Sequence, residues 1–411
     1  MKKILALLLA LCMVFALAAC GEPAATESQA PADDAPASEA PADDGAASGD
    51  KVIKIGVFEP QSGDNGAGGK QEILGMQYAN SLTPTVEIGG ETYNVELIYA
   101  DNQSSNDKAV SAAQELITQG ASVVLGSYGS GVSIAAATTF GDAGVPAIGV
   151  TCTNPQVTQV SDTYYRICFI DPFQGTVLAN YAFDQLGARK AYMLGEAGND
   201  YDAGLMNYFQ EAFEALGGTV VSDNFQTNNS DFTSYLNKAV SEQAEVVFIP
   251  VSITYSTQII AQAKSMDLTI PILGSDTLDN NTVLAAAADS NLDLIVTTFY
   301  NEGGNAEFDE GFKEWINSDS VNLDNNGGND MIAAVSVMGF DAYNVALEAI
   351  KLAGSTDPVA IKDALWDVNY DGITGNITFG ENGDAVRDTA YIKISDNVAV
   401  AWTDGGTQTV A

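Results

Sequence analysis

From Lys51 onward the chain alternates short apolar runs with longer segments of helical periodicity, a pattern that few folds accept. Val52–Phe58, Asn94–Tyr99, Ser122–Leu125 and Val145–Val150 read as strands, with helix-like Lys70–Leu82, Asp107–Gln119 and Val132–Asp142 between them. Short strands that are apolar throughout, each followed by a helix, argue for parallel sheets buried on both faces. The pattern restarts with Tyr164–Phe169, Ala191–Leu194, Thr219–Phe225, Glu245–Ile249, Ile270–Leu273 and Leu292–Phe299. Helices are predicted among these at Gln174–Leu186, Tyr201–Leu216, Phe232–Ser241, Tyr255–Ser265 and Thr282–Ala288. Two such series predict an α/β protein of two doubly wound lobes with parallel sheets, and a length of 411 residues suits two domains better than one. Helices at Asn305–Ile316, Asp330–Leu352 and Val359–Trp366 follow. Ile373–Phe379 and Ala390–Ser395, joined through Glu381-Asn382-Gly383-Asp384, read as a closing hairpin.

In open α/β sheets a ligand binds beyond the carboxyl ends of the strands, so the strand-to-helix turns are where function should lie. In the first series these turns are residues 62–69, 126–131 and 151–155; in the second they are 198–201 and 274–277. Each is polar and most are rich in glycine. Ordinary turns share that composition, so no turn is decisive alone.

Charge and composition exclude several functions. Fifty-four acidic side chains against 16 basic ones give a net charge of −38, which argues against binding nucleic acid or an anionic membrane surface. The chain has no histidine, which removes His-assisted nucleophilic catalysis and His metal ligands. Asp319–Asp330 is acid-rich, but the ligand spacing of a calcium loop is not met, and it reads as an acidic surface loop. Neither a metal nor a cofactor is expected. Cys152 and Cys168 are the cysteines of the folded part; a disulfide and two free thiols both remain open, with free thiols preferred.

The N-terminus reads as an address. Lys2 and Lys3 precede an uncharged run from Ile4 to Leu17, too short to span a bilayer comfortably. The segment closes with Leu17-Ala18-Ala19-Cys20-Gly21, which resembles the lipobox of bacterial lipoproteins. That resemblance implies a signal peptide over 1–20 and lipidation of Cys20. Residues 21–50 hold four prolines, ten alanines and eight acids, and read as a disordered acidic tether.

From about Lys51 to Ser395 the chain resembles the leucine/isoleucine/valine-binding protein family of branched-chain amino-acid ABC transporters. The segments that carry the resemblance are Ser62-Gly63, Asp171-Pro172-Phe173-Gln174-Gly175, Ser230-Asp231-Phe232, Gly339-Phe340-Asp341-Ala342-Tyr343, Thr374–Phe379 and Asn382-Gly383-Asp384. It implies the type I periplasmic-binding fold with a hinge of three chain crossings, near Asp171, Tyr300 and Asp371. Lobe I would comprise 51–170 with 300–371, and lobe II 171–299 with 372–411. It also implies ligand-binding roles. Ser130 would hold an α-carboxylate, Thr151 and Thr153 the α-amino-acid group, Asp276 the α-ammonium, and Tyr201 would close over the ligand. Each has a structural alternative: a helix cap for Ser130, a turn or cap for Asp276, core for Tyr201. Gly68 stands where branched-chain binders often place a tyrosine, and Ser252 roughly where another aromatic would be. Tyr128 is positioned to refill part of that space. Ser127 and Asn102 are further candidates.

The resemblance therefore implies a monomeric, non-enzymatic, extracytoplasmic lipoprotein. It would capture an amino acid, branched-chain or related, and deliver it to a membrane permease driven by an ATPase. Its only membrane contact would be the lipid anchor. A sensory receptor of the same fold, or a binder of another small polar amide or amine, is the alternative reading.

Overall fold

The computed structural model describes residues 51–387, 389–394, 399–403 and 407–410. The signal segment, Cys20, the tether and Ser395 lie outside the described residues.

The first half runs β1 (Val52–Glu59), α1 (Gly66–Leu82), β2 (Thr85–Ile88), β3 (Glu91–Asp101), α2 (Asn106–Gln119), β4 (Val123–Leu125), α3 (Ser130–Ala143), β5 (Ala147–Gly149), α4 (Gln156–Gln159) and β6 (Tyr164–Arg166). These strands form one sheet in the order β2-β3-β1-β4-β5-β6, parallel except for the edge strand β2. The second series is α5 (Asp171–Asn180), β7 (Lys190–Glu196), α6 (Asp200–Ala215), β8 (Thr219–Phe225), α7 (Thr233–Ser241), β9 (Val246–Ile249), α8 (Ile253–Ser265), β10 (Ile272–Gly274), α9 (Asn281–Ala287) and β11 (Leu294–Thr298). Then come α10 (Ala306–Asn317), α11 (Ser320–Asn325), α12 (Ala334–Ala353), α13 (Pro358–Ala364), β12 (Tyr370–Gly372), β13 (Gly375–Ile377), β14 (Thr389–Ile394), β15 (Ala399–Thr403) and β16 (Thr407–Val410). The second sheet has the order β16-β15-β14-β11-β10-β9-β7-β8. Its strands β7 to β11 are parallel, as expected, and β14 to β16 add antiparallel at one edge.

Each sheet is covered by its helices. Ile53, Ile55 and Val57 of β1 pack with Val337, Met338 and Val345 of α12. Phe209 and Phe213 of α6 stack on each other, and Phe209 on Phe248 of β9. Helices α1 and α12 approach closely: a side chain on Gly75 would strike the Ser336 carbonyl, and one on Gly339 the Glu72 carbonyl. This crossing explains why an interior helix carries glycines that cost helical propensity.

Several local expectations are corrected. The strand at Tyr164–Phe169 does not open the second series; its core Tyr164–Arg166 pairs parallel with β5 at the edge of the first sheet. The hairpin β2–β3 was not expected, although Gly89 and Gly90 at its turn, with φ of 58° and 86°, are a recognisable signal. Ile373–Phe379 and Ala390–Ser395 do not pair with each other. Gly375–Ile377 pairs with Tyr370–Gly372, and β14 joins β11. The reason is Asp341 of α12, whose carboxylate accepts the N–H groups of Ile373 and Thr374 at 2.9 and 2.8 Å and so pins that turn to the first lobe. Arg387 adds a bond to the Ile167 carbonyl at 2.9 Å. The stretch 319–330 is not merely a surface loop: it contains α11, and Asn326 is fully buried, donating to the Asn329 and Met331 carbonyls.

Candidate functional site

The carboxyl ends of both parallel sheets face one cavity of about 230 Å³. Loops after β1 and β4 bring Asp64, Asn65, Tyr128 and Ser130 from the first lobe; loops after β7 and β9 bring Glu196, Tyr201 and Ser252 from the second. The lobes touch around it. The Asn65 amide bonds Ser252 Oγ at 3.4 Å and accepts from Ile253 N at 3.1 Å. The Tyr128 hydroxyl donates to the Thr277 carbonyl at 3.3 Å, and Asn154 Nδ2 to the Asp200 carbonyl at 3.0 Å. The space is below the roughly 300–1,000 Å³ of drug-sized pockets and suits a small metabolite.

Two hydroxyls in the wall have opposite polarity. Ser130 opens α3, whose first N–H groups have no partners within the helix. Ser130 Oγ accepts from Asn154 N at 3.2 Å, so its own O–H is left to donate. Thr151 is the reverse: its hydroxyl donates to Glu72 Oε1, so it is left to accept. Ser130 thus offers a donor beside a helix N-terminus, which suits an anion. Thr151 offers an acceptor backed by a carboxylate.

Of the residues singled out from sequence, Ser130, Thr151, Tyr201, Tyr128 and Ser252 line the cavity. Asp276, Thr153 and Gly68 do not. Asp276 lies behind Tyr201, whose hydroxyl donates to its Oδ1 at 2.6 Å, and is 2% exposed. Burial pushes its carboxyl up to about 6 against the opposing pull of Tyr201 and Gln174. Thr153 is fully buried; its hydroxyl sits against the Asp171 carboxyl, and its carbonyl accepts from Asp171 N at 3.0 Å. Gly68 lies under Tyr128: any side chain there would collide with the Tyr128 ring, which fills that space. Asn102 braces the floor, donating to Ser127 Oγ at 2.9 Å and the Phe58 carbonyl at 3.2 Å.

The family model for periplasmic binding proteins matches residues 52–399. The chain belongs to the periplasmic binding protein family. Among solved structures it is similar to the leucine binding protein LivK of Thermotoga maritima, with 30% identity and a TM-score of 0.74 over 88% of this chain and 98% of that one. It is also similar to LivJ of Streptococcus pneumoniae, a branched-chain amino acid transporter substrate-binding protein in complex with isoleucine. There the identity is 25% and the TM-score 0.72, over 88% of this chain and 99% of that one. A curated relative, the amino acid binding protein of Pseudomonas aeruginosa, is 24% identical over 86% of this chain and 91% of its own length. The family is one of solute-binding proteins, not of enzymes.

This periplasmic binding protein also holds acids that sequence reasoning passed over. Glu59 and Glu72 are completely buried, and so is Asp171, which burial lifts to about 7. A signal existed: Glu59 ends an apolar strand, and Glu72 shares a helical face with Gly68 and Gly75. Cys152 and Cys168 are free and buried; burial raises Cys152 to about 11, so it stays a thiol.

Proposed function

We propose that this periplasmic binding protein captures an α-amino acid between its lobes and presents it to the permease of an ABC importer powered by an ATPase. The observation that carries this reading is the opposed polarity of Ser130 and Thr151, a free donor and a free acceptor lining the same cavity. A zwitterion matches that polarity in one orientation only. Its carboxylate would take the Ser130 hydroxyl and the N–H groups that open α3. Its ammonium would face Thr151, with Asp276 supplying charge from the second lobe. Among the described residues, none that lines the cavity is basic, which favours a ligand with a positive group.

The order of events follows from which lobe holds what. The amino acid docks on the first lobe through Ser130 and Thr151, with Thr153 buried behind them. The second lobe then closes with Tyr201 and Ser252, Asp276 supplying its charge from behind Tyr201, and closure is favoured only by the contacts the closed form adds. We take lobe I as 51–170 with 300–371 and lobe II as the remainder, with one revision. Bonds from residues 383–387 to Arg166 and Ile167 support placing the third crossing beyond Arg387 instead of near Asp371. Besides Ser130, Thr151 and the two tyrosines, the wall is mostly polar: beside the apolar Pro60, Val132 and Ala197 it offers Asn65, Ser104, Asn106, Ser252 and Thr227. An aliphatic side chain would strip their water without replacing its hydrogen bonds, so a polar side chain fits better. The protein would act as a monomer held to the membrane by lipid on Cys20.

The test is a thermal-shift screen of the twenty proteinogenic amino acids, followed by calorimetry of those that raise the unfolding temperature. A binding amino acid should lose affinity when either its amine or its carboxylate is removed. Equal binding of the amine-free analogue refutes the reading.

A further inference from the structure

Glu59 and Glu72 meet below the cavity floor. Glu59 is the last residue of β1, Glu72 is on α1, and both are fully buried. Their outer oxygens are well served. Glu59 Oε2 accepts from Tyr128 N at 2.7 Å and from Ser127 Oγ at 3.5 Å; Glu72 Oε1 accepts from the Thr151 hydroxyl. Their remaining oxygens, Glu59 Oε1 and Glu72 Oε2, are buried with no other partner among the described residues, and the two carboxyls are in hydrogen-bonding contact. Two carboxylates in such contact do not both ionise, and one proton between them satisfies both orphan oxygens.

We propose that Glu59 and Glu72 share one proton, held on Glu59, so that ionised Glu72 fixes Thr151 as an acceptor and supplies buried negative charge to the ligand's ammonium. This rests on the amino-acid reading of the cavity. The hydrogen bonds accommodate this arrangement: with the proton on Oε1, Glu59 still accepts from Tyr128 N through Oε2, while ionised Glu72 accepts from the Thr151 hydroxyl and from that proton. The other titratable groups facing the pair are Cys152, Tyr128, Tyr164 and Asp276, all acids. Arg166, which faces Cys152, is committed to Asp384 at 2.6 Å and to the Cys152 carbonyl at 3.0 Å. Glu72 and Asp276 repel each other from opposite lobes, and a cation between them relieves that repulsion. Both glutamates are positioning residues behind Thr151.

Burial lifts Glu72 to about 7, so in the empty protein it takes up a proton as pH falls through that value. An ammonium requires it ionised. Affinity should therefore weaken by up to about tenfold per pH unit below 7 for this group alone.

The experiment has two arms. In the first, carboxyl-carbon NMR follows the glutamates of the ligand-free protein from pH 4 to 9. One carboxyl should keep its proton above pH 7, and its signal should vanish in Glu59→Gln. If every glutamate titrates between pH 4 and 5, the shared proton is refuted, whatever binds in the cleft. In the second arm, calorimetry at pH 8 uses the amino acid that most stabilises the wild type, beside its α-hydroxy acid. Glu72→Gln should bind the amino acid about 30-fold more weakly or worse, with the hydroxy acid unaffected. Glu59→Gln should weaken amino-acid binding at least about tenfold less than Glu72→Gln does, because its amide reproduces the protonated acid, accepting from Tyr128 N and donating to Glu72. Wild-type affinity in Glu72→Gln, or equal loss of both probes, overturns the role of Glu72. Failure of every amino acid to bind wild type overturns the amino-acid reading and the ammonium role with it, while the first arm still decides the shared proton.

Discussion

Asp276→Asn should remove a loss of stability that the wild type suffers as pH rises to neutral, while spoiling its affinity. Asp276 is fully buried, and its carboxyl ionises near 6 in the folded chain instead of the ordinary 3.8. At about 1.36 kcal/mol per pKa unit, that difference corresponds to about 3 kcal/mol. The folded state holds this proton more tightly than the unfolded chain. Its contribution to stability is therefore fully present below pH 3.8 and is lost as pH rises through about 6. Asparagine carries no such dependence. The stability of Asp276→Asn relative to wild type should thus rise by about 3 kcal/mol between pH 3.5 and pH 8. This change with pH does not depend on how well the new amide is hydrogen bonded, because that contribution is present at both pH values. The same substitution removes the charge offered to the ammonium, and binding of an amino acid at pH 8 should weaken by about 2–5 kcal/mol. Urea unfolding at a series of pH values, together with calorimetric titration, measures both effects. Parallel pH–stability curves for the two proteins would refute the buried-charge argument. An unchanged affinity would refute the ammonium assignment and remove the main electrostatic reason for an amino-acid ligand.

Ser130→Ala removes one hydroxyl donor to a charged group and should cost about 1.5–3 kcal/mol of amino-acid binding by calorimetry; it should cost the corresponding amino-acid amide much less. Gly75→Val forces a branched side chain against the Ser336 carbonyl and Phe340 N where α1 crosses α12. It should destabilise the fold by about 1–3 kcal/mol or more in denaturant titration, and a wild-type midpoint would contradict so close a crossing. Cys20→Ala should leave the chain unprocessed or released from membranes on fractionation; normal cleavage with retention at the membrane would exclude the lipid anchor.

Much of the architecture is legible in the sequence because it is written in local periodicity. Apolar runs such as Val52–Phe58 and Leu292–Phe299 need burial on both faces, and only parallel strands under helices provide it. The turn at Ser130 announces a helix N-terminus on the same local grounds. Sequence reading also isolated Gly68 and Ser252 as departures from the usual pocket, with Tyr128 positioned to refill part of the space. What it could not decide was which strand lies beside which: Tyr164–Arg166 joined the first sheet, and Thr389–Ile394 paired with Leu294–Thr298 rather than with its nearer neighbour. Pairing over such distances depends on where the chain crosses between lobes and on anchors such as Asp341, which no window of sequence contains. The same holds for the site chemistry. The residue types of Ser130 and Thr151 are visible in the sequence, but their hydrogen-bonding polarity is set by Asn154 and Glu72, brought in from other parts of the chain. Glu59 and Glu72 read as two ordinary acids in a chain rich in them. Only tertiary packing buries both at one point, and burial is what turns two solvated charges into a pair that must share a proton.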